Sequence, residues 1–137
     1  MTVKELSQLY HLKGEIELNK RHLEELEAQR SGSAIVLDDM PHGKGPAKSQ
    51  VEQLAAEIVD LEAIIHAKQI QCIHERARLE RYIKEIPDSI TRKIFELRFV
   101  EGRQWEDVAS EVSGHLKKDL TDYVVKKRCY RYLDKNP

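Results

Sequence analysis

A long, unbroken run of heptad-spaced apolar positions constrains the fold of this 137-residue chain. The run begins at Val51 and ends at Ile86, and no proline or glycine interrupts it. Apolar side chains that recur every 3.5 residues form a stripe along one side of a helix, and that stripe is buried against another helix. Lys68 and Glu75 are the polar interruptions of the stripe. The run therefore predicts one long helix that packs along a partner.

A shorter heptad pattern precedes it and supplies such a partner. Residues 3–30 contain no proline and carry apolar side chains at heptad spacing, with Asn19 in one core position. A single Asn in such a stripe typically fixes the register of the two helices. The segment 31–47 contains three glycines and two prolines, which predicts a loop. Residues 1–86 are thus expected to form a long antiparallel helical hairpin.

The hairpin is expected to need more burial than two helices provide. Two helices have a thin core, because each buries only one stripe. Part of the stripe at Ile58, Leu61 and Ile65 is predicted to stay open for a partner chain. This indicates a homo-oligomer that assembles through the hairpin.

Composition fits solvated helices and indicates a cytoplasmic protein. Charged residues make up 34% of the chain and aromatic residues 6%, a balance typical of long helices rather than of a large globular core. No run approaches eighteen apolar residues, and the first residues lack the apolar centre of a signal peptide. Cys72 and Cys129 lie far apart in helical patterns, so we expect reduced thiols. No membrane contact is expected.

Residues 87–137, hereafter the C-terminal module, contain residues that begin and end three short helices. Pro87 ends the long helix, and Asp88 or Ser89 can cap the next one, over 89–100. Glu101-Gly102 ends that helix, because glycine accepts the left-handed cap. A second helix is predicted over 104–112, closed by Ser113-Gly114.

The third helix of the module is basic. Thr121 is a good N-cap for a helix from Asp122 to about Asp134. Residues 117–137 carry seven basic and three acidic side chains, a net charge of +4, whereas residues 1–86 have a net charge of −3. A cationic end on an otherwise acidic chain is the pattern expected if that end meets phosphate. Two supporting helices before a basic third one match the layout of a helix-turn-helix DNA reader.

These residues resemble region four of bacterial sigma factors, and more specifically the phage-encoded sigma-like regulators of the RinA/ArpU type. The segment LRFVEGRQWEDVASEV is similar to their Leu-Arg-Tyr, glycine break and Trp-Glu-Glu-Ile-Ala pattern. The closing VKKRCYRYL resembles their recognition helix, with Val125, Cys129 and Leu133 inward. One departure is clear: Ala109 and Val125 are sixteen residues apart, which lengthens the usual turn by about six residues.

The resemblance implies a sequence-specific transcriptional regulator of phage or prophage origin, an activator of late or packaging genes in the bacterial cytoplasm. Double-stranded DNA is the expected partner, and RNA polymerase is a further candidate. Arg and Lys can pair with guanine edges or with phosphates, and Tyr can contact the backbone. The residues expected to contact DNA on the groove side are Thr121, Asp122, Tyr123, Lys126, Lys127 and Tyr130; those expected at phosphates, or in pairs within the protein, are Arg103, Lys117, Lys118, Arg128 and Arg131.

Two other function classes stay open at this point. A small-terminase-like packaging protein also joins a helix-turn-helix to a helical hairpin, but usually places the DNA module first. A coiled-coil scaffold or adaptor would suit the heptads and leave the C-terminal module unexplained. No enzyme, cofactor or metal site is predicted, because the chain has no metal-ligand spacing, no glycine-flanked nucleophile and no phosphate-binding loop. For Arg128 the structural alternative is an ion pair with Glu106 or Glu111.

Overall fold

The fold is all-helical, as the sequence predicts. The computed structural model describes residues 1–39 and 46–137, and side chains within 1–32 and 50–137. Its helices are α1 (Val3–Leu6), α2 (Gln8–Asp39), α3 (Pro46–Lys84), α4 (Ser89–Phe95), α5 (Trp105–Leu116) and α6 (Asp122–Lys135), and a π-helical turn over Glu96–Val100 extends α4. Within this described part, no helix has the length and apolar character to cross a membrane.

The predicted loop over 31–47 is wrong at both ends. Helix α2 continues through Asp39, and α3 already begins at Pro46. Gly32 lowers helix stability by about 1 kcal/mol relative to alanine, which neighbouring helical residues can offset. Pro46 occupies the first position of a helix, where its missing N–H leaves no hydrogen bond unmade. The rest of the predicted loop, residues 40–45, lies outside the described residues.

One compact unit comprises residues 13–71. In it α2 and α3 pack together and bury the predicted stripe, and Lys68 Nζ lies 3.3 Å from Glu15 Oε2 across the pair. Ile58, Leu61 and Ile65 are between 4% and 8% exposed. The expectation that these three residues stay open for a partner chain is therefore wrong, because α2 already covers them. The side-chain nitrogen of Asn19 is buried with no hydrogen-bond partner among the described residues.

The other compact unit comprises residues 1–12 and 72–137. Its core joins Leu6 and Leu9 near the N-terminus with Leu79 and Ile83 of α3. The same core includes the inward side chains of α4, α5 and α6. Arg78 Nη2 donates a hydrogen bond to the Glu5 carbonyl oxygen (3.2 Å), so a polar contact accompanies the apolar one. The core thus crosses residue 86, where the sequence predicts a domain boundary.

The starts of α4 and α6 and the turn at Gly102 follow the predicted chemistry. Asp88 caps α4 by accepting a hydrogen bond from the Thr91 N–H (3.0 Å). Gly102 has a φ of 72°, in the left-handed region that favours glycine, and it lies where the chain turns towards α5. Thr121 caps α6 by accepting from the Val124 N–H (3.3 Å). These caps confirm the predicted starts of α4 and α6.

Candidate nucleic-acid interface

Helix α6 has one buried and one exposed face. Val125, Cys129 and Leu133, spaced four residues apart, are buried in the core, which confirms their predicted inward positions. Burial raises the pKa of the Cys129 thiol to about 12, so this cysteine stays protonated and packs as an apolar side chain. The exposed side chains of α6 include the predicted groove-side residues Asp122, Tyr123, Lys126, Lys127 and Tyr130, and also Arg128 and Arg131.

Two lysine–tyrosine contacts order the exposed face. The Nζ of Lys126 lies 5.8 Å from the centre of the Tyr130 ring, and the Nζ of Lys127 lies at the same distance from the Tyr123 ring. Such cation–π contacts leave the ammonium charge accessible, because an aromatic face does not neutralise it. In the described part of the chain, neither lysine takes part in a salt bridge. This face therefore offers two lysine ammonium groups outside salt bridges, beside flat aromatic rings.

Arg128 connects α6 to the start of α4 through side-chain hydrogen bonds. Its Nη2 lies 2.8 Å from Asp88 Oδ2, and its Nε donates to Thr91 Oγ1 (3.4 Å). The hydroxyl of Thr91 also donates to Asp88 Oδ2 (2.6 Å). The prediction that Arg128 pairs with Glu106 or Glu111 is wrong. An ion pair within the protein was nevertheless one of its two predicted roles, the other being a phosphate contact. Hydrogen bonds from Thr91 and then the neighbouring Arg128 guanidinium hold the pKa of Asp88 below its ordinary value.

Arg103 is also engaged within the fold. Its guanidinium contacts Glu101 (3.0 Å) and Glu111. Glu111, which the sequence suggested as a partner of Arg128, thus pairs with Arg103 instead. Because both acidic partners offset its charge, Arg103 is a poorer candidate for phosphate than the lysines of α6. The structure thus brings together the groove-side residues on α6 and ties Arg103 and Arg128 to carboxylates.

The lengthened turn between α5 and α6 is partly helical. The prediction that Ser113-Gly114 closes the second helix is wrong, because α5 continues to Leu116 and ends at Lys117 in the left-handed conformation. Leu116 is half-buried against the core, and this contact helps to offset the helix penalty of Gly114. Of the residues predicted near phosphates, Lys117 and Lys118 are exposed in this turn.

Ser113 closes that turn with its side chain. Its Oγ accepts a hydrogen bond from the Leu120 N–H (2.8 Å) and donates one to the Leu120 carbonyl oxygen (3.2 Å). Both backbone groups of Leu120 are therefore held by one side chain, one residue before the Thr121 cap. Ser113 thus helps to set where α6 begins.

Trp105 connects α5 with the exposed face of α6. The indole is half-buried against the core, and the Tyr130 ring meets it edge-on at 6.3 Å between centroids. The Arg98 guanidinium also contacts the indole, 4.7 Å from the ring centroid. Trp105 is therefore a packed residue at the edge of the core. The contact between Trp105 and Tyr130 joins residues that are far apart in sequence.

Comparisons with known proteins leave the chain without an assigned relative: no family model, no curated protein and no solved structure matches it. The resemblance to sigma-like phage regulators thus stays a prediction from residues 94–133. Among the described residues, no three His, Cys, Asp or Glu side chains come together as a metal site would require.

Proposed function

We propose that the protein binds duplex DNA through the exposed face of α6. The observation that carries the proposal is the pairing of Lys126 with Tyr130 and of Lys127 with Tyr123 on a helix whose opposite face is locked into the core. Lysine ammonium groups can contact phosphates, and tyrosine can contact the sugar-phosphate backbone or a thymine methyl. A helix of this width fits the major groove.

The rigidity of the surroundings supports this assignment. Arg128 anchors α6 to Asp88, and Ser113 fixes the turn before it. A reading helix has to be held rigidly by its supporting helices, because small displacements misplace the side chains that reach base edges. Helix α6 begins at Asp122 after its N-cap Thr121, and the N–H groups of its first turn that Thr121 does not bind can donate to a phosphate.

Within this proposal, the protein is a transcriptional regulator of the phage sigma-like type, acting in the cytoplasm of a bacterial cell. The sigma-like resemblance supports that finer role, and it suggests RNA polymerase as a second partner. Self-association would place two copies of α6 on one DNA molecule, which raises affinity because the second contact becomes intramolecular. Packaging and scaffold functions gain no specific support from the described surface.

The proposal is tested by a mobility-shift titration on mixed-sequence duplex DNA at several salt concentrations. The variant Lys126→Ala/Lys127→Ala should bind more weakly, and the slope of log affinity against log salt should become shallower by about 1 per lost phosphate contact. The matched control is Lys20→Ala/Arg21→Ala, which removes the same charge from two exposed positions of α2. Equal losses in both variants would indicate a general charge effect, and unchanged binding in the first would refute the α6 site.

A further inference from the structure

Helix α3 carries a second heptad stripe on the side away from α2. The stripe, here called the outer seam, comprises Ala56, Val59, Ala63, His66, Ile70, Ile73 and Ala77, with alternating spacings of three and four residues. All seven residues are exposed, and Val59 and Ile73 are 65% and 68% exposed. Relative to the buried stripe through Ile58, Leu61 and Ile65, these are the outward positions that a two-helix hairpin normally fills with polar residues.

The described side chains of α2 in the same unit form no comparable stripe. Between residues 13 and 32, the described part of α2 in its unit, Leu18 is the large apolar residue that is exposed, and it has no apolar neighbour at heptad spacing. Isolated exposed apolar residues are ordinary, whereas a continuous exposed stripe marks an interaction surface. A heptad stripe is matched by another helix, because side chains spaced by 3.5 residues interlock only with a similar row.

We propose that the outer seam pairs with the outer seam of a second copy, with the two α3 helices antiparallel and centred on residue 68. In this register, residues equally far before and after position 68 face one another. Ala63 of one copy then meets Ile73 of the other, and Ala77 meets Val59. Ala63 and Ala77 thus each lie opposite a large apolar residue, which fills the central part of the interface evenly. His66 meets Ile70 next to the two-fold axis.

The charges that flank the seam are complementary between two antiparallel copies of α3, which favours a second copy of this chain as the partner. In the same register, Glu62 of one copy lies beside Arg76 of the other, and Asp60 lies beside His74. Residues in these flanking positions form the ion pairs that choose partner and orientation in coiled coils. Because of the two-fold symmetry, each of these pairings occurs twice.

The ends of the seam extend the same complementarity, and the axis is free of repulsion. Glu52 of one copy faces Lys84 of the other. At the axis, each copy places the neutral residues Ala67 and Gln69 beside their own counterparts, so no like charges meet there.

The parallel arrangement lacks this match. Parallel pairing would stack His66 on the other His66 and place Glu62 beside Ala67, so no opposite charges would meet. The Arg76 guanidinium now contacts Glu80 one turn away (2.9 Å), and both side chains are exposed. Such an exposed pair within one helix is weak, so it leaves Arg76 available to a carboxylate of the second copy.

The experiment is sedimentation of the full chain without DNA, over a range of concentrations. We expect a species of twice the 16.0 kDa chain mass. The variant Ile70→Glu/Ile73→Glu should sediment as a monomer with unchanged helical content, because both residues are exposed within one copy. The matched control is Ile64→Glu, a 47% exposed residue of α3 outside the seam, and it should remain dimeric. A monomeric natural chain, or dissociation by the control as well, would overturn the proposal.

A charge exchange tests the antiparallel register. Glu62→Arg and Arg76→Glu should each weaken the dimer, because each creates two like-charge contacts. Mixing the two variants should restore association, because all four side chains then meet opposite charges across the interface. Failure of the mixture to associate would refute this register. Because no DNA is present, these outcomes are independent of whether α6 binds DNA.

Discussion

The Arg128 guanidinium of α6 lies 2.8 Å from the carboxylate of Asp88, the residue that caps α4. One carboxylate therefore caps the first helix of the C-terminal module and holds the third. The two residues are 40 positions apart, and the contact closes the module at its exposed edge. The orientation of the proposed reading helix depends in part on a charged group that titrates in acid.

Asp88→Asn should lower the free energy of unfolding near neutral pH, and this difference from the natural protein should disappear in acid. The folded pKa of Asp88 is lowered, so its contribution is fully present above the ordinary value of 3.8 and disappears as the pH falls through the lower folded value. For a pair this exposed, the loss at pH 7 should be under about 1 kcal/mol. Thermal unfolding of both proteins at pH 7 and below pH 3 checks this. A difference that persists unchanged in strong acid would contradict the assignment.

Trp105→Ala should destabilise the protein by about 2 kcal/mol, less than the ~3–5 kcal/mol typical of a fully buried tryptophan. The indole is half-buried, but it also loses the Arg98 and Tyr130 contacts. Urea unfolding followed by circular dichroism measures the change. The emission of the natural protein should lie between buried and solvent-exposed values and change little with DNA. Strong quenching by DNA would instead place Trp105 within the interface.

Ser113→Ala should cost about 1 kcal/mol, because the Leu120 N–H loses its side-chain partner in the turn. The matched control is Ser110→Ala, which removes an exposed hydroxyl from the same helix and should be nearly neutral. If the turn positions α6, the first variant should also bind DNA more weakly than the second under conditions where both are folded. Equal stability of the two variants would show that the Ser113 hydrogen bonds do not contribute.

The local parts of the fold could be predicted from the sequence. The caps at Asp88 and Thr121, the turn at Gly102 and the inward spacing of Val125 and Cys129 depend on neighbouring residues alone. Each rests on a short-range rule of helix geometry or hydrogen bonding. These confirmed features are local, and contacts with distant parts of the chain were not needed to predict them.

Features that depend on distant partners could not be predicted in the same way. The pairing of Arg128 with Asp88 joins residues far apart in sequence, and charge alone does not choose between several acids. Residues 113–116 are helical because packing of Leu116 outweighs the local signal of Ser113-Gly114. The outer seam of α3 is readable in the sequence, but its meaning depends on knowing that α2 covers the other stripe.

Leu9→Ala tests whether the start of α2 belongs to the core of the C-terminal helices. Leu9 is 1% exposed and shares that core with Leu79 and Ile83, so its truncation should lower the free energy of unfolding by about 2–5 kcal/mol. Leu18→Ala is the control, because Leu18 lies on the same helix at 60% exposure, and the change should be within about 0.5 kcal/mol of zero. The measurement is urea unfolding followed through Trp105 fluorescence, which reports on the C-terminal helices. If Leu9→Ala leaves the Trp105 transition where it is in the natural protein, residues 87–137 fold independently of the N-terminus, and the boundary that the sequence places at residue 86 is the correct one.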